Sequence, residues 1–414
     1  MKKYVFISMM LLIVWILVKP TAVQANCGAA IIINLPSRTL EYYVNDVLTR
    51  EYSIAIGKVS TPSPLGLYTI TDKAINPAWY PPGKNYSVPS GPSNPLGYRW
   101  MGFLPTYGIH GTNAPWSIGQ VVSNGCIRLK EEAVEDLYEL VPEGTPVAIT
   151  YQRFKLKIDD AGVASIGIYP DVYGYQSVTL AQIKGQLQEY GLEGLADDSW
   201  LQQLMTDIPD RQIPFARVHK IKVNDNLINQ YVISIHDQLY APAVAVAKNL
   251  QTKVVWDGQL QTLAGKRQAV NAILKGKTVY VAVEQLPLLF GGRLKWQENE
   301  NCLYLQVPIL KISGQTISHD VQVVNGKPLV PLLAVAKALD QKLDWDADSG
   351  VVRNSIRRLP VQLLTGEPYL DASRLAEYFP VSAVWNDQEQ ILELQDPAYP
   401  MDYSMYLDQM GEFF

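Results

Sequence analysis

The chain has 414 residues, of which 48% are hydrophobic and 18% charged, and its formal net charge is −5. Because a domain has roughly 100 to 200 residues, this length predicts two to four domains, and the composition argues against wholesale disorder. The acidic balance argues against nucleic acid as a partner, since phosphate binding needs a basic face.

The N-terminus has the pattern of a secretory signal. Lys2 and Lys3 precede an apolar run from Tyr4 to Val18, and small residues follow up to Ala25. This pattern predicts a signal peptide over residues 1–25 and an exported protein. An uncleaved anchor is the alternative, although a bilayer span needs about 20 apolar residues. Removal of three lysines with this segment changes the formal charge from −5 to −8.

Residues 28–151 form the next predicted domain, which is mainly β. Short apolar runs with β-branched residues alternate with turn formers. The predicted strands are Ala30–Leu35, Thr39–Val44, Arg50–Ile56 and Gly66–Thr71. A segment rich in Pro, Gly, Tyr and Trp covers Asn76–Gly102, and its aromatic content predicts a functional loop. An amphipathic helix is predicted at Glu131–Leu140.

Residues 152–217 are predicted to form an α/β connecting region. Two strands are expected near Lys155–Asp159 and Ser165–Tyr169, and two helices near Leu180–Tyr190 and Ser199–Thr206. None of the residues in this region has the pattern of a catalytic group.

The rest of the chain repeats itself. Four tryptophans recur at spacings of 40, 49 and 40 residues, each in a pattern of helix, turn and strand: Trp256, Trp296, Trp345 and Trp385. Two α+β repeat units are therefore predicted, at 218–308 and 309–397, followed by a tail at 398–414. We interpret these tryptophans as core residues rather than sugar platforms.

Three cysteines are present. A small and odd number of cysteines in an exported chain argues against a disulfide framework. Cys27 follows the predicted cleavage point, and Cys302 lies in a strand-like run where a buried, inert thiol is expected. Cys126 differs, because polar residues and a glycine precede it. These neighbours make Cys126 the candidate nucleophile.

A histidine and an arginine accompany this thiol. His110 is one of only four histidines and stands 16 positions before Cys126, while Arg128 lies two positions after it. A thiol needs a base and a positive field to become a nucleophile. The backbone amides of Asn124, Gly125 and Cys126 can donate to an oxyanion. These residues predict a cysteine acyl-transfer enzyme without naming its substrate.

The segment resembles the L,D-transpeptidase catalytic domain family over residues 29–151. The matching runs are IGKVSTPSPLGLYTI, NPLGYRWMGF, IHGTNAPWSIG, SNGCIRL and VPEGTPVAI. The resemblance implies a mixed β-sandwich, with Cys126 as nucleophile, His110 as base, the Gly111 carbonyl orienting the imidazole and the three amides forming the oxyanion hole. Residues expected to bind or support the substrate are Ser123, Arg128, Arg99, Trp100 and Tyr86.

The resemblance also implies the reaction. The Cys126 thiolate attacks the L,D bond of a peptidoglycan stem tetrapeptide, D-Ala leaves, and the amine of a neighbouring stem resolves the thioester as a 3,3 cross-link. Two alternatives stay open: an L,D-carboxypeptidase that uses water at the same site, and a catalytically silent scaffold that binds the cell wall. Many family members have histidine where this chain has Asn124, which leaves no imidazole for a second role there.

The C-terminal repeats resemble the stalk-like domain named after the N-terminal region of copper amine oxidases. His219, His236 and His319 lack ligand spacing, so neither a metal nor a cofactor is expected. The resemblance implies a spacing role or a contact with a cell-wall polymer. The sequence does not define the oligomeric state.

Overall fold

A computed structural model of the chain describes residues 28–354 and 357–395. The predicted signal segment, Cys27 and the tail from residue 398 lie outside the described residues. The chain divides into two compact units. The first runs to Arg153 and includes Tyr169–Ser177, and the second comprises Phe154–Ile168 and the chain from Val178 onward.

The first unit consists of short strands and one α-helix. Its elements are β1 (Ala29–Asn34), β2 (Thr39–Val44), β3 (Val47–Ser53), β4 (Ile56–Gly57), β5 (Gly66–Thr69), β6 (Asp72–Ile75), β7 (Arg99–Leu104), β8 (Tyr107–His110), β9 (Val121–Ser123), β10 (Ile127–Arg128), α1 (Glu131–Leu140) and β11 (Pro146–Thr150), with a 3-10 turn at Pro115–Ser117.

Two mixed sheets in this unit share one core. The first has the order β3-β2-β1-β11-β5, and the second β10-β8-β7-β6. The pairs β1–β11 and β8–β10 are parallel, whereas the other neighbours in these sheets are antiparallel. Ile31 and Ile33 of β1, Met101 of β7 and Ile109 of β8 are buried in the same apolar cluster. The mainly β architecture predicted for this region is confirmed.

Local sequence explains several of these elements. Ile31 and Ile33 alternate with less buried residues along β1, as one face of a sheet requires. Asn45 and Asp46 both have positive φ in a two-residue hairpin loop, a conformation that Asn and Asp tolerate. The helix at Glu131–Leu140 has the predicted bounds. The predicted irregular segment is shorter than expected, because the residues from Arg99 onward pair with β6 and β8.

The second unit has many more strands, with short helices between them. Its elements are β12 (Phe154–Ile158), β13 (Val163–Ile168), α2 (Leu180–Glu189), α3 (Asp198–Asp207), β14 (Gln212–Val223), β15 (Asn226–Leu227), β16 (Val232–Ile235), β17 (Gln238–Pro242), α4 (Ala243–Asn249), β18 (Val255–Asp257), β19 (Thr262–Ala264), β20 (Ala269–Lys275), β21 (Thr278–Ala282), α5 (Leu286–Phe290), β22 (Arg293–Gln297), β23 (Cys302–Gln306), β24 (Ile309–Ile312), β25 (Gln315–Ser318), β26 (Gln322–Val324), β27 (Lys327–Pro331), α6 (Leu332–Ala338), β28 (Asp344–Asp346), β29 (Val351–Arg353), β30 (Arg358–Leu359), β31 (Gln362–Leu364), β32 (Glu367–Asp371), β33 (Ser382–Asn386) and β34 (Ile391–Gln395), with 3-10 turns at Val283–Gln285, Glu298–Glu300 and Ala372–Glu377.

The four recurring tryptophans lie on strands that follow helical segments, namely β18, β22, β28 and β33. Trp256, Trp345 and Trp385 pack against apolar clusters, as predicted. Trp296 is 37% exposed and meets His219 edge to face. Cys302 is fully buried in β23, which confirms the expectation for that thiol. The boundaries of the two repeat units stay a prediction.

Within residues 28–354 and 357–395, no helix combines the length and apolar character needed to cross a bilayer.

Candidate active site

Parallel pairing of β8 and β10 brings the two predicted catalytic segments side by side. Ile127 pairs with Ile109 and Arg128 with His110. Cys126 immediately precedes β10, so strand alternation puts its side chain on the same face as that of Arg128. The thiol donates to the backbone oxygen of Thr106 at 3.6 Å. Transfer of its proton to His110 therefore requires the thiol to exchange this acceptor for the imidazole.

His110 is held in one tautomer. Its side chain is 3% exposed, and Nδ1 lies 2.6 Å from the carbonyl oxygen of Gly111. Since a carbonyl oxygen only accepts, Nδ1–H donates, and Nε2 is the basic nitrogen of the neutral ring. Burial and, to a smaller extent, the charge of Arg128 lower the pKa of His110 to about 4, against the raising effect of backbone hydrogen bonds with Gly111 and Leu96. The imidazole is therefore neutral near pH 7.

Trp100 covers one face of this imidazole. The two rings stack with centroids 5.7 Å apart and an interplanar angle of 20°. Trp100 Nε1–H donates to Asp72 at 2.9 Å, which fixes the indole. Gly108 makes room for it, because a Cβ at that position would lie 2.6 Å from the indole ring. Trp100 thus contacts the candidate base, and its role in supporting the substrate stays a prediction.

Cys126, the candidate nucleophile, is a neutral thiol in its resting environment. Burial raises the pKa of Cys126, while a backbone hydrogen bond from Gly108 and the charge of Arg128 lower it. Arg128 is half-buried, and its Nε has no partner among the described residues. The thiol needs a base to ionise, and Arg128 lies close enough to favour the thiolate.

The turn before the nucleophile is held by hydrogen bonds. Ser123 Oγ donates to the Cys126 carbonyl at 2.6 Å and accepts the Gly125 N–H at 3.0 Å. Ser63 Oγ donates to the Gly125 carbonyl at 2.8 Å. The Gly125 amide is thus engaged within the turn. In a trans peptide, the fixed Gly125 carbonyl directs the Cys126 N–H to the opposite side.

The comparisons with known proteins cover this unit. The family model "L,D-transpeptidase catalytic domain" matches residues 28–149. YqjB of Bacillus subtilis (strain 168), a protein named as an L,D-transpeptidase, is 41% identical over 126 residues, which are 29% of this chain and 70% of that protein.

The chain belongs to the L,D-transpeptidase family.

Other relatives match over smaller shares of their length. YkuD of Bacillus licheniformis is 40% identical over 121 residues, which are 29% of this chain and 64% of that protein. YbiS of Escherichia coli (strain K12) is 34% identical over 172 residues, covering 38% of this chain and 54% of that protein. Both are named as L,D-transpeptidases. The solved catalytic domain of the Enterococcus faecium L,D-transpeptidase is 26% identical over 30% of this chain and 96% of that domain, with a TM-score of 0.26.

Arg99 and Tyr86 are two further residues predicted to support the substrate. The backbone oxygen of Arg99 accepts the Gly111 N–H at 3.4 Å, beside the candidate base. Arg99 pairs with Glu135 at 3.5 Å and lies over the ring of Tyr138. Tyr86 is 58% exposed on the irregular segment. Among the described residues, no hydrogen bond links Arg99 or Tyr86 to the thiol or the imidazole, so their substrate roles stay predictions.

Sequence reasoning missed the contribution of the connecting region. Tyr173 belongs to the first unit, and its hydroxyl donates to the Gly57 carbonyl at 2.6 Å and accepts the Ser63 N–H at 3.2 Å. Ser63 in turn holds the Gly125 carbonyl. The prediction that no residue of the connecting region is catalytic stands beside this contact, because Tyr173 supports the turn through Ser63, and no hydrogen bond among the described residues joins it to the thiol or the imidazole. No local pattern marks Tyr173, because its partners lie more than 100 residues earlier.

Proposed function

We propose that this chain is an exported peptidoglycan L,D-transpeptidase that works by covalent cysteine catalysis. The Cys126 thiolate attacks the carbonyl of the L,D bond between the third stem residue and terminal D-Ala. Sulfur bonds to that carbon, the C–N bond breaks, and D-Ala leaves as the free amine. The side-chain amine of a neighbouring stem then attacks the thioester, which forms the 3,3 cross-link and releases the thiol.

The observation that carries this proposal is the hydrogen bond from His110 Nδ1–H to the Gly111 carbonyl, with the thiol of Cys126 immediately before the adjacent strand β10. It leaves Nε2 as the base, and the low pKa of the buried imidazole keeps that nitrogen unprotonated near pH 7. His110 takes the thiol proton, gives it to the departing D-Ala nitrogen, and later takes a proton from the attacking amine.

The oxyanion needs donors aimed at the developing charge. We assign this role to the amides of Cys126 and Asn124, with the Gly125 amide joining them only where Ser123 releases it. The Ser63 bond supports this assignment, because it sets the orientation of the Gly125–Cys126 peptide. Arg128, with its unpartnered Nε, supplies positive charge to the thiolate and to an anionic group of the substrate.

The second unit is proposed to contact a cell-wall polymer or to space the catalytic unit from it. Four tryptophan-bearing strands repeat along this unit, and Trp296 presents part of its ring to solvent. Of the four rings, Trp296 is the one that supports a contact, because Trp256, Trp345 and Trp385 pack against apolar clusters.

Product analysis tests the proposed function. The mature chain, residues 26–414, is incubated with disaccharide tetrapeptide, and the products are resolved by mass. We expect dimers that lack one D-Ala per cross-link, and a loss of at least about a thousandfold in rate for Cys126→Ala. Cys302→Ala is the matched control, since it removes a buried thiol of the second unit and leaves the rate unchanged.

Each other outcome has a defined meaning. Tripeptide monomers without dimers identify the L,D-carboxypeptidase reaction at the same site. Turnover at the wild-type rate in Cys126→Ala contradicts the assigned nucleophile. A wild-type chain that forms no product but still sediments with sacculi indicates the silent scaffold.

A further inference from the structure

A carboxylate from the first residue of α1 reaches the peptide group next to the base. Glu131 Oε1 accepts the Thr112 N–H at 2.5 Å, and Oε2 accepts the Tyr98 N–H at 3.1 Å. Neither bond could be inferred from spacing, because 19 and 33 residues separate the partners. Hydrogen bonds to an ionised carboxylate are stronger than neutral ones. Glu131 therefore fixes the chain on both sides of the β7–β8 hairpin.

The peptide that Glu131 binds is the one that binds His110. Its carbonyl, that of Gly111, accepts Nδ1–H of the imidazole at 2.6 Å, and its N–H, that of Thr112, donates to the carboxylate. The order is therefore imidazole, peptide, carboxylate. A carboxylate that accepts the N–H polarises the peptide and makes its carbonyl oxygen a better acceptor, because hydrogen bonds in series strengthen one another.

Two glycines form the space that this carboxylate occupies. A Cβ at Gly97 would lie 1.9 Å from Oε1 of Glu131, and a Cβ at Gly111 would lie 2.1 Å from the same atom. Gly97 also has φ +66°, which favours glycine. Any side chain at either position would displace the carboxylate, so both glycines are matched to Glu131.

We propose that Glu131 is the remote carboxylate of the catalytic centre, a positioning residue that acts on His110 through the Gly111–Thr112 peptide. This inference rests on the proposed role of His110 as the base. When His110 takes the Cys126 proton, the ring becomes positive, and the polarised Gly111 carbonyl stabilises that charge. In Ser-His-Asp triads a carboxylate does this by direct contact; here one peptide group lies between.

Other charged groups also face the imidazole. Arg128 approaches from β10 and disfavours the imidazolium, and Cys126 lies in the turn before that strand. Asp72 of β6 reaches the ring only through Trp100. Glu131 is thus placed to offset Arg128. Its removal is expected to disfavour the thiolate–imidazolium pair relative to the neutral thiol and imidazole.

The test measures Cys126 alkylation by iodoacetamide across pH in the full chain, with the modified residue identified by peptide mass. In Glu131→Gln we expect alkylation to slow about tenfold near pH 7. The difference should shrink as the pH is raised, because hydroxide then removes the thiol proton without His110. Labelled-histidine NMR should show a lower His110 pKa in this variant. Glu131→Asp keeps the charge and should recover part of the rate.

Glu132→Gln is the matched control, because it removes the same charge from the next, exposed position of α1. Its pH profile should follow that of the wild type. A Glu131→Gln rate that is unchanged, or reduced equally at every pH, would overturn the proposal and leave Glu131 a structural role. If Glu131→Gln fails to fold, the pH profile of Glu131→Asp is measured instead. A rate that is reduced near pH 7 and recovers at high pH supports the proposal, and a rate that is unchanged or equally reduced at every pH contradicts it. Neither alkylation nor NMR requires catalytic turnover. Failure of this inference can therefore be distinguished from failure of the proposed transpeptidase reaction.

Discussion

His110 combines burial with a hydrogen bond to the Gly111 carbonyl, and both affect how the site responds to pH. Burial lowers its pKa to about 4 from an ordinary value of 6.5. Between these two values the unfolded chain binds a proton that the folded chain does not. The free energy of unfolding of the first unit therefore falls as pH drops from about 6.5 towards 4, and the full contribution is present above this range.

Replacing His110 should reduce this acid sensitivity. In His110→Gln we expect the free energy of unfolding of the first unit to lose about 3 kcal/mol less between pH 6.5 and 4 than in the wild type. Denaturant titrations at several pH values provide the measurement. His319→Gln serves as the control, because His319 belongs to the second unit. An unchanged pH slope in His110→Gln would show that other groups cause the acid sensitivity.

Residue identity was enough to select the candidate reacting groups, whereas the contacts around them required coordinates. Cys126 and His110 could be selected because glycines, a polar pair and an arginine surround them. Glu131 could be predicted only as the first residue of a helix, where carboxylates are common. Its contact with Thr112 depends on how α1 follows β10, which no local pattern specifies.

Among the elements, the segment Tyr169–Ser177 of the first unit supports the turn before Cys126. Tyr173 binds the Gly57 carbonyl and the Ser63 amide, and Ser63 binds the Gly125 carbonyl. The orientation of the Cys126 N–H therefore depends on a strand end, a loop and a distant tyrosine. Small displacements of such a donor reduce catalysis strongly.

This arrangement predicts graded losses of rate. Ser63→Ala should lower kcat about tenfold with little change in KM, and Tyr173→Phe should lower it severalfold. Steady-state cross-linking of tetrapeptides provides both constants. Tyr175→Phe is the control, because the ring of Tyr175 packs against that of Tyr173 but Tyr175 is largely exposed. A wild-type kcat in Ser63→Ala would mean that Ser123 alone orients the turn.

At the scale of the whole molecule, the sequence predicted where strands occur better than it predicted which strands pair with each other. Alternation in β1 and the residues of the β2–β3 hairpin loop are local, so both could be inferred from the sequence. The parallel pairing of β1 with β11 joins residues more than 100 positions apart. Such pairing depends on the complete core, and for this reason the sequence alone predicted the β-rich class but not the sheet order.

The apolar clusters of the chain predict how it unfolds. The catalytic unit has its own cluster, which includes Leu137, and the C-terminal strands have another, which includes Leu370. Both side chains are fully buried, and a buried Leu→Ala change costs about 2–5 kcal/mol. Leu370→Ala should therefore lower the midpoint temperature of a calorimetric transition of the second unit. The midpoint temperature of the first unit should not change.

Leu137→Ala should show the reverse. Alkylation of Cys126 shows which calorimetric transition belongs to the first unit, because Cys126 lies in that unit. The temperature dependence of the alkylation rate should change in Leu137→Ala and should follow the wild type in Leu370→Ala. Separate clusters lead to this result since each substitution removes contacts from one core only. A single transition that both substitutions lower by the same amount would instead show that the two units unfold as one cooperative structure.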